Sequence, residues 1–146
     1  ASCIFHAIHE DDVKRIMQHP MTMVASDGRL AYMGEGHPHP RAYGTFPRVL
    51  GYYVRELGVL ELQSALRKMT SIPAERLGLT DRGYLKEGMK ADITIFNPET
   101  VIDKSTFVDP HHYPEGIEYV IVNGQLTIQE GVLTEKRGGR VLRKGK

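Results

Sequence analysis

One cysteine in 146 residues means that Cys3 can form no internal disulfide, so a reducing, cytoplasmic home is expected. Two readings of that thiol stand, a small apolar residue on a buried strand or a nucleophile. Long apolar runs are missing as well. None approaches the roughly 20 residues that a membrane-crossing helix needs, which predicts a soluble protein with no membrane partner. Excess charge is almost absent: 19 Lys and Arg against 18 Asp and Glu leave +1, no global electrostatic footprint for nucleic acid. Basic residues gather only in "EKRGGRVLRKGK", where Lys136, Arg137, Arg140, Arg143, Lys144 and Lys146 read as a solvated strand edge or tail rather than a nucleic-acid site. Neither a start methionine nor a charged leader precedes the apolar "CIFHAIHE". A signal peptide is therefore not expected, and either processing or the choice of boundary is expected to have removed something upstream.

What is present is 40% hydrophobic and 25% charged, enough to bury a core within one domain's length. Periodicity divides it into unlike halves. "CIFHAI" is a short, almost continuously apolar run of the kind shown by buried parallel strands. "EDDVKRIMQHP" then predicts a helix, with acids in its first turn, Val13, Ile16 and Met17 on one face and Pro20 as its stop. "TMVAS" returns to strand character, and strand, helix, strand implies a parallel sheet. Further on, Leu62, Ala65, Leu66 and Met69 mark an amphipathic helix, and Pro73 and Gly78 suit the first turn and the end of a shorter one. From Asp81 the period changes to two. "ADITIF" alternates, and "EYVIVNGQLTI" joins two strands through Asn123-Gly124, a strong hairpin signal. Residues 1–80 are thus expected to be an α/β unit and residues 81–146 a small antiparallel β unit. "DKSTFVDPHHYPEGIE" between strands reads as loop.

The stretch "MVASDGRLAYMGEGHPHPRAYGTFPRVLG" holds the chemistry. Catalytic groups of parallel α/β barrels sit at the carboxyl ends of the strands, and Asp27 stands where "TMVAS" would end. A carboxylate there can take a proton from an activated water and pass it to a leaving nitrogen. It can equally cap the following turn through an Asx bond helped by Gly28. Arg41, 14 residues on in the same loop, can clamp a carboxylate with two parallel hydrogen bonds or pair with a neighbour on the surface. His37 and His39 have an H-x-H spacing that can ligate metal, but Pro38 and Pro40 put them in an extended loop. His6 and His9, at the end of the first expected strand, read as satisfied polar lining of the same mouth.

These residues carry a resemblance. "SDG", "HPHPRAYGTFPRVLGYYVRE", "LELQSALRKMTSIPAERLGLTDRGYLKEGMKADITIFNPETVID" and "GIEYVIVNG" are similar to the C-terminal part of N-acyl-D-amino-acid deacylases, the D-aminoacylases of the amidohydrolase superfamily. The likeness spans nearly the whole chain. "DRGYLKEGMKADITIF" with "VIVNG" resembles many amidohydrolases, whereas "HPRAYGTFPRVLG" is narrower and points to the D-aminoacylase branch.

The resemblance implies a metal-dependent (β/α)8 barrel with an accompanying β-sandwich, hydrolysing the amide of a small-molecule N-acyl-D-amino acid with zinc. It implies that residues 1–80 are the last two βα units of that barrel and 81–146 the small sandwich-type β domain, lacking its N-terminal partner strands. By it, Asp27 resembles the catalytic acid/base and a weak contact to a second metal ion, and Arg41 resembles the residue that holds the substrate's α-carboxylate. The family's main metal ligands lie in sequence that this chain does not contain; His37 and His39 mimic its H-x-H but align with the loop. The chain alone is expected to be inactive, to bind no metal tightly and to self-associate through its open edges. Two rivals remain, another amidohydrolase of the dihydroorotase or hydantoinase kind and a non-catalytic β interaction module.

Overall fold

The computed structural model describes residues 4, 5 and 7–143. The readings made for Cys3, His6, Lys144 and Lys146 lie outside these described residues. Four α-helices precede four strands: α1 (Glu10–Gln18), α2 (Arg41–Arg48), α3 (Leu62–Met69), α4 (Ser71–Leu77), then β1 (Ile93–Phe96), β2 (Ile117–Val122), β3 (Gln125–Gln129) and β4 (Val132–Leu133). The switch from helix to strand falls between Leu77 and Ile93, where the sequence period changes. Among the described residues, no helix is long and apolar enough to cross a membrane.

Local signals explain most of these elements. His9 caps α1, its Nδ1 accepting from the Asp11 amide at 3.2 Å, and Glu10, Asp11 and Asp12 favour the positive end of the helix dipole. His9 is therefore an exposed helix cap rather than the lining of a site. Gly78 ends α4 with a left-handed φ of 72°, which lets the Leu79 amide reach back to the Ala74 carbonyl at 2.9 Å.

Arg41, read from the sequence as part of the loop, instead begins the helix that follows that loop. Arg41 opens α2, and Val49–Glu56 continues it as a π-helix in which the Leu57 amide reaches the Tyr52 carbonyl at 2.9 Å. Pro47 inside α2 offers no amide to the preceding turn, and the widened helix follows directly after it. Packing holds this unpromising sequence helical. Val49, Tyr53, Leu60 and Ala65 form the core, with Val13, Met17 and Val24 packed against it. At Gly51 a Cβ would lie 2.4 Å from the Val101 carbonyl oxygen, so only glycine admits the segment after β1 this close.

The strands β1–β2–β3–β4 form one antiparallel meander in sequence order. Asn123 and Gly124, with φ of 49° and 77°, make the two-residue turn between Val122 and Gln125 that the sequence predicted. Among the described residues the β part is a single four-stranded antiparallel sheet, in keeping with a small antiparallel β unit that lacks its partner strands. Its strands are mostly half-buried on both faces, as one uncovered layer would be. One expectation needs correction: neither residues 7–8 nor 22–26 form a strand. A strand needs a neighbour to complete its ladder. Here the Val24 amide donates instead to the Lys68 carbonyl at 3.1 Å, at the end of α3.

Candidate active site

Asp27 and Arg41, chosen 14 residues apart in the sequence, meet in the fold. The Arg41 guanidinium donates through Nη2 to the Asp27 carboxylate at 2.8 Å and through Nε to the Asp27 backbone carbonyl at 2.9 Å. One edge of the planar fork thus grips a single residue twice, a geometry that an ammonium cannot reproduce. Asp27 has a left-handed φ of 46°, an uncommon conformation that aspartate tolerates better than most residues. The turn after it is closed by Ser26, whose Oγ accepts from the Gly28 amide at 3.2 Å. The Asx cap weighed for the Asp27 carboxylate is therefore replaced by a serine bond, and the carboxylate faces the guanidinium.

Arg41 is placed by α2. Its amide donates to His39 Nδ1 at 3.0 Å, so His39 caps the helix start. Thr45 Oγ1 donates to the Arg41 carbonyl at 3.0 Å one turn on. His37 is engaged as well, its Nε2 lying 2.8 Å from the Phe107 carbonyl. The H-x-H pair thus serves helix and loop. Among the described residues, no three of His, Cys, Asp and Glu converge as a metal ion would require, and the carboxylate of Asp27 is held by Arg41. The donors among the described residues do not fit a zinc centre by themselves.

A cleft of about 710 Å³ includes Arg41 but not Asp27. Its walls are mainly apolar, from Val13, Ile16 and Met17 of α1 to Val24 and Val49, which suits packing more than polar chemistry. Three polar groups in it are tied down. Arg48 pairs with the buried Asp103 carboxylate at 3.2 Å. The Lys68 ammonium donates to the His19 and Thr22 carbonyls at 2.5 and 3.0 Å, and burial pushes its pKa below the ordinary lysine value. Tyr53 has its phenol pKa raised, first by burial and then by the Glu10 carboxylate. With Asp27 some 84% exposed, the site shown by this chain is a rim and not an enclosed pocket.

The residue that reading the sequence missed is His111. The loop "DPHHYPEG" was read only for its breakers, yet His111 makes two contacts to the segment between Asp27 and α2 and a third to Tyr43 of α2. A histidine pair set between Pro110 and Pro114 was the available signal.

A model of the amidohydrolase family matches residues 4–128 of the chain. The D-aminoacylase of Alcaligenes xylosoxydans xylosoxydans is 46% identical over 142 residues, 97% of this chain and 29% of that protein. A solved D-aminoacylase studied for its binuclear metal centre superposes with a TM-score of 0.86 at 42% identity, over 92% of this chain and 28% of the other. The N-acyl-D-glutamate deacylase of Bordetella bronchiseptica, solved with zinc and a phosphonate mimic of the tetrahedral intermediate, superposes at 0.77 with 45% identity, over 82% and 25%. The chain therefore spans under a third of the length of these relatives.

Proposed function

The chain belongs to the amidohydrolase family, and from that membership we propose that it is the C-terminal portion of a zinc-dependent enzyme hydrolysing the amide bond of N-acyl-D-amino acids. Residues 1–80 supply the last two βα units of a (β/α)8 barrel and residues 81–146 its small β domain. On this reading, "CIFHAI" and "TMVAS" are barrel strands whose ladder partners belong to the rest of the enzyme. The zinc ligands lie there too, with Asp27 a weak contact to a second ion; bound zinc would supply Lewis-acid polarisation of the substrate carbonyl.

The double grip of Arg41 on Asp27 carries the proposal. It aims one carboxylate and leaves the Nη1/Nη2 edge of the guanidinium for a second. That second carboxylate is the substrate's α-carboxylate, the group that N-acyl-D-amino acids share. An Asp27 carboxylate oxygen accepts a proton from the attacking water as its oxygen bonds to the amide carbon. The same proton passes to the departing nitrogen as the C–N bond breaks, giving a carboxylate and a D-amino acid. Neither a non-catalytic β module nor an amidohydrolase for substrates without an α-carboxylate calls for such a pair.

Steady-state kinetics of the intact enzyme test the assignment. Asp27→Asn keeps the shape and the tolerance for positive φ, and should lower kcat by roughly 10² or more. Arg41→Ala should raise KM for N-acyl-D-amino acids and also lower kcat, because it frees the base as well as the clamp. Near-normal turnover by Asp27→Asn would leave Asp27 as a turn residue.

A further inference from the structure

His111 lies in the segment between β1 and β2, far from Asp27 and Arg41 in sequence, but its ring is fastened to the loop that separates them. Nδ1 accepts from the Gly34 amide at 3.2 Å, and Nε2 lies 3.0 Å from the Gly36 carbonyl. An amide can only donate and a carbonyl can only accept. The ring is therefore neutral, with its hydrogen on Nε2 and its lone pair on Nδ1. The Tyr43 hydroxyl, 3.0 Å away, shares that lone pair, and the two rings meet edge-on at 5.9 Å. Tyr43 is two residues past Arg41 in the first turn of α2. One imidazole thus ties the middle of the loop and the start of the helix to the same point.

We propose that His111 is a positioning residue for the reaction: its Nε2–H tautomer latches the loop between Asp27 and Arg41, and the first turn of α2, to the segment after β1. This rests on the roles given above to Asp27 and Arg41. Without the latch, residues 28–40 close a loop of thirteen residues with fewer fixed points, and the two ends that carry the carboxylate and the guanidinium lose their common anchor. His37 on the Phe107 carbonyl is a second tie between the same two segments, and Tyr113 backs Tyr43 at 5.7 Å. The neighbouring His112 is turned away onto the Asp109 carboxylate at 2.7 Å. His111 is the one whose both ring nitrogens grip the loop.

The test uses the intact enzyme. Long-range proton–nitrogen spectra of histidine-labelled enzyme should show His111 as the Nε2–H tautomer; the Nδ1–H tautomer would overturn the latch. His111→Phe keeps a ring beside Tyr43 but loses all three hydrogen bonds. It should speed exchange of the Arg41 Nε–H by at least about tenfold. It should also raise KM for N-acyl-D-amino acids by about tenfold with a smaller effect on kcat. His111→Asn, whose side-chain oxygen replaces the Nδ1 acceptor, should restore most of both. A purely structural role predicts lower thermal stability with unchanged KM, unchanged Arg41 exchange and no rescue by Asn, and any of these three results refutes the proposal. If the unmodified enzyme does not hydrolyse N-acyl-D-amino acids, the function proposed above fails, while the tautomer and the Arg41 exchange still decide the latch.

Discussion

Tyr53 shows how one side chain can link the core to pH. It is buried beside Val49 and Ala65, and its hydroxyl faces Glu10 and Arg48. Burial, then the Glu10 carboxylate, raises its pKa above the ordinary 10.0. The folded chain thus holds the phenol proton more tightly than the unfolded chain. Stability from this group is fully present below about pH 10 and is lost as pH rises through the raised value. Tyr53→Phe should therefore flatten the fall in stability above pH 10, read as the difference between the two urea midpoints at pH 9 and pH 11. Comparison with the unmodified chain is needed because Tyr84, paired with Glu75, is also shifted upward. Parallel pH curves for the two proteins would show that the Tyr53 hydroxyl is not the sensor. The same scale separates what the sequence revealed from what it hid at the site. Asp27 and Arg41 could be picked out because each has a chemistry of its own, whereas their mutual grip depends on a φ of 46° and a helix start that no local pattern announces.

Elements built on local signals were legible. The acidic first turn of α1, Gly78 after α4 and the Asn123-Gly124 turn each act over a few residues, and each appears where it was expected. Elements held by distant partners were not. "RAYGTFPR" has a glycine and an interior proline, a poor helix by propensity, and becomes α2 because Val49 and Tyr53 are buried and Gly51 admits Val101. Residues 22–26 have strand-like composition, yet composition supplies no neighbour. The sheet combines both kinds of control, since its β2–β3 hairpin is local but its anchor is not. Arg82, whose side chain is 12% exposed, donates to the Asp92 carboxylate and to Asn123 Oδ1 at 2.7 Å. Asp92 accepts from the Asn123 amide at 2.7 Å, and the Asn123 side chain donates to the Gly138 carbonyl at 2.6 Å. Arg82→Met leaves two acceptors without their donor and should cost about 1–3 kcal/mol. Chemical denaturation followed by a sheet-specific amide signal measures this, and an unchanged midpoint would make the network decorative.

At the scale of the whole chain, the surface is too large for a self-sufficient domain. A compact monomer of 16.4 kDa should expose about 7,500 Å². This chain exposes 10855 Å². The excess is partly apolar: α1 buries none of its residues, Ile16 is 54% exposed, and Phe5, Met21 and Leu30 each exceed 80%. The cleft that includes Arg41 runs along the same face, between α1 and α2. Exposed apolar area of this extent marks an interface or an aggregation liability. In the intact enzyme we assign that face to the remainder of the barrel, which would also give residues 7–8 and 22–26 ladder partners. The chain on its own lacks that cover, and a second copy offers the same exposed apolar residues. Sedimentation of the isolated chain at tens of micromolar should accordingly show dimers or larger species that dissociate on dilution. Ile16→Lys on the exposed side of α1 should shift the equilibrium toward monomer, because it places a charge in the interface at little cost to the core. A stable 16.4 kDa monomer across that concentration range, with slow amide exchange at Val13 and Met17, would mean that the chain covers its own apolar face and that no partner is required.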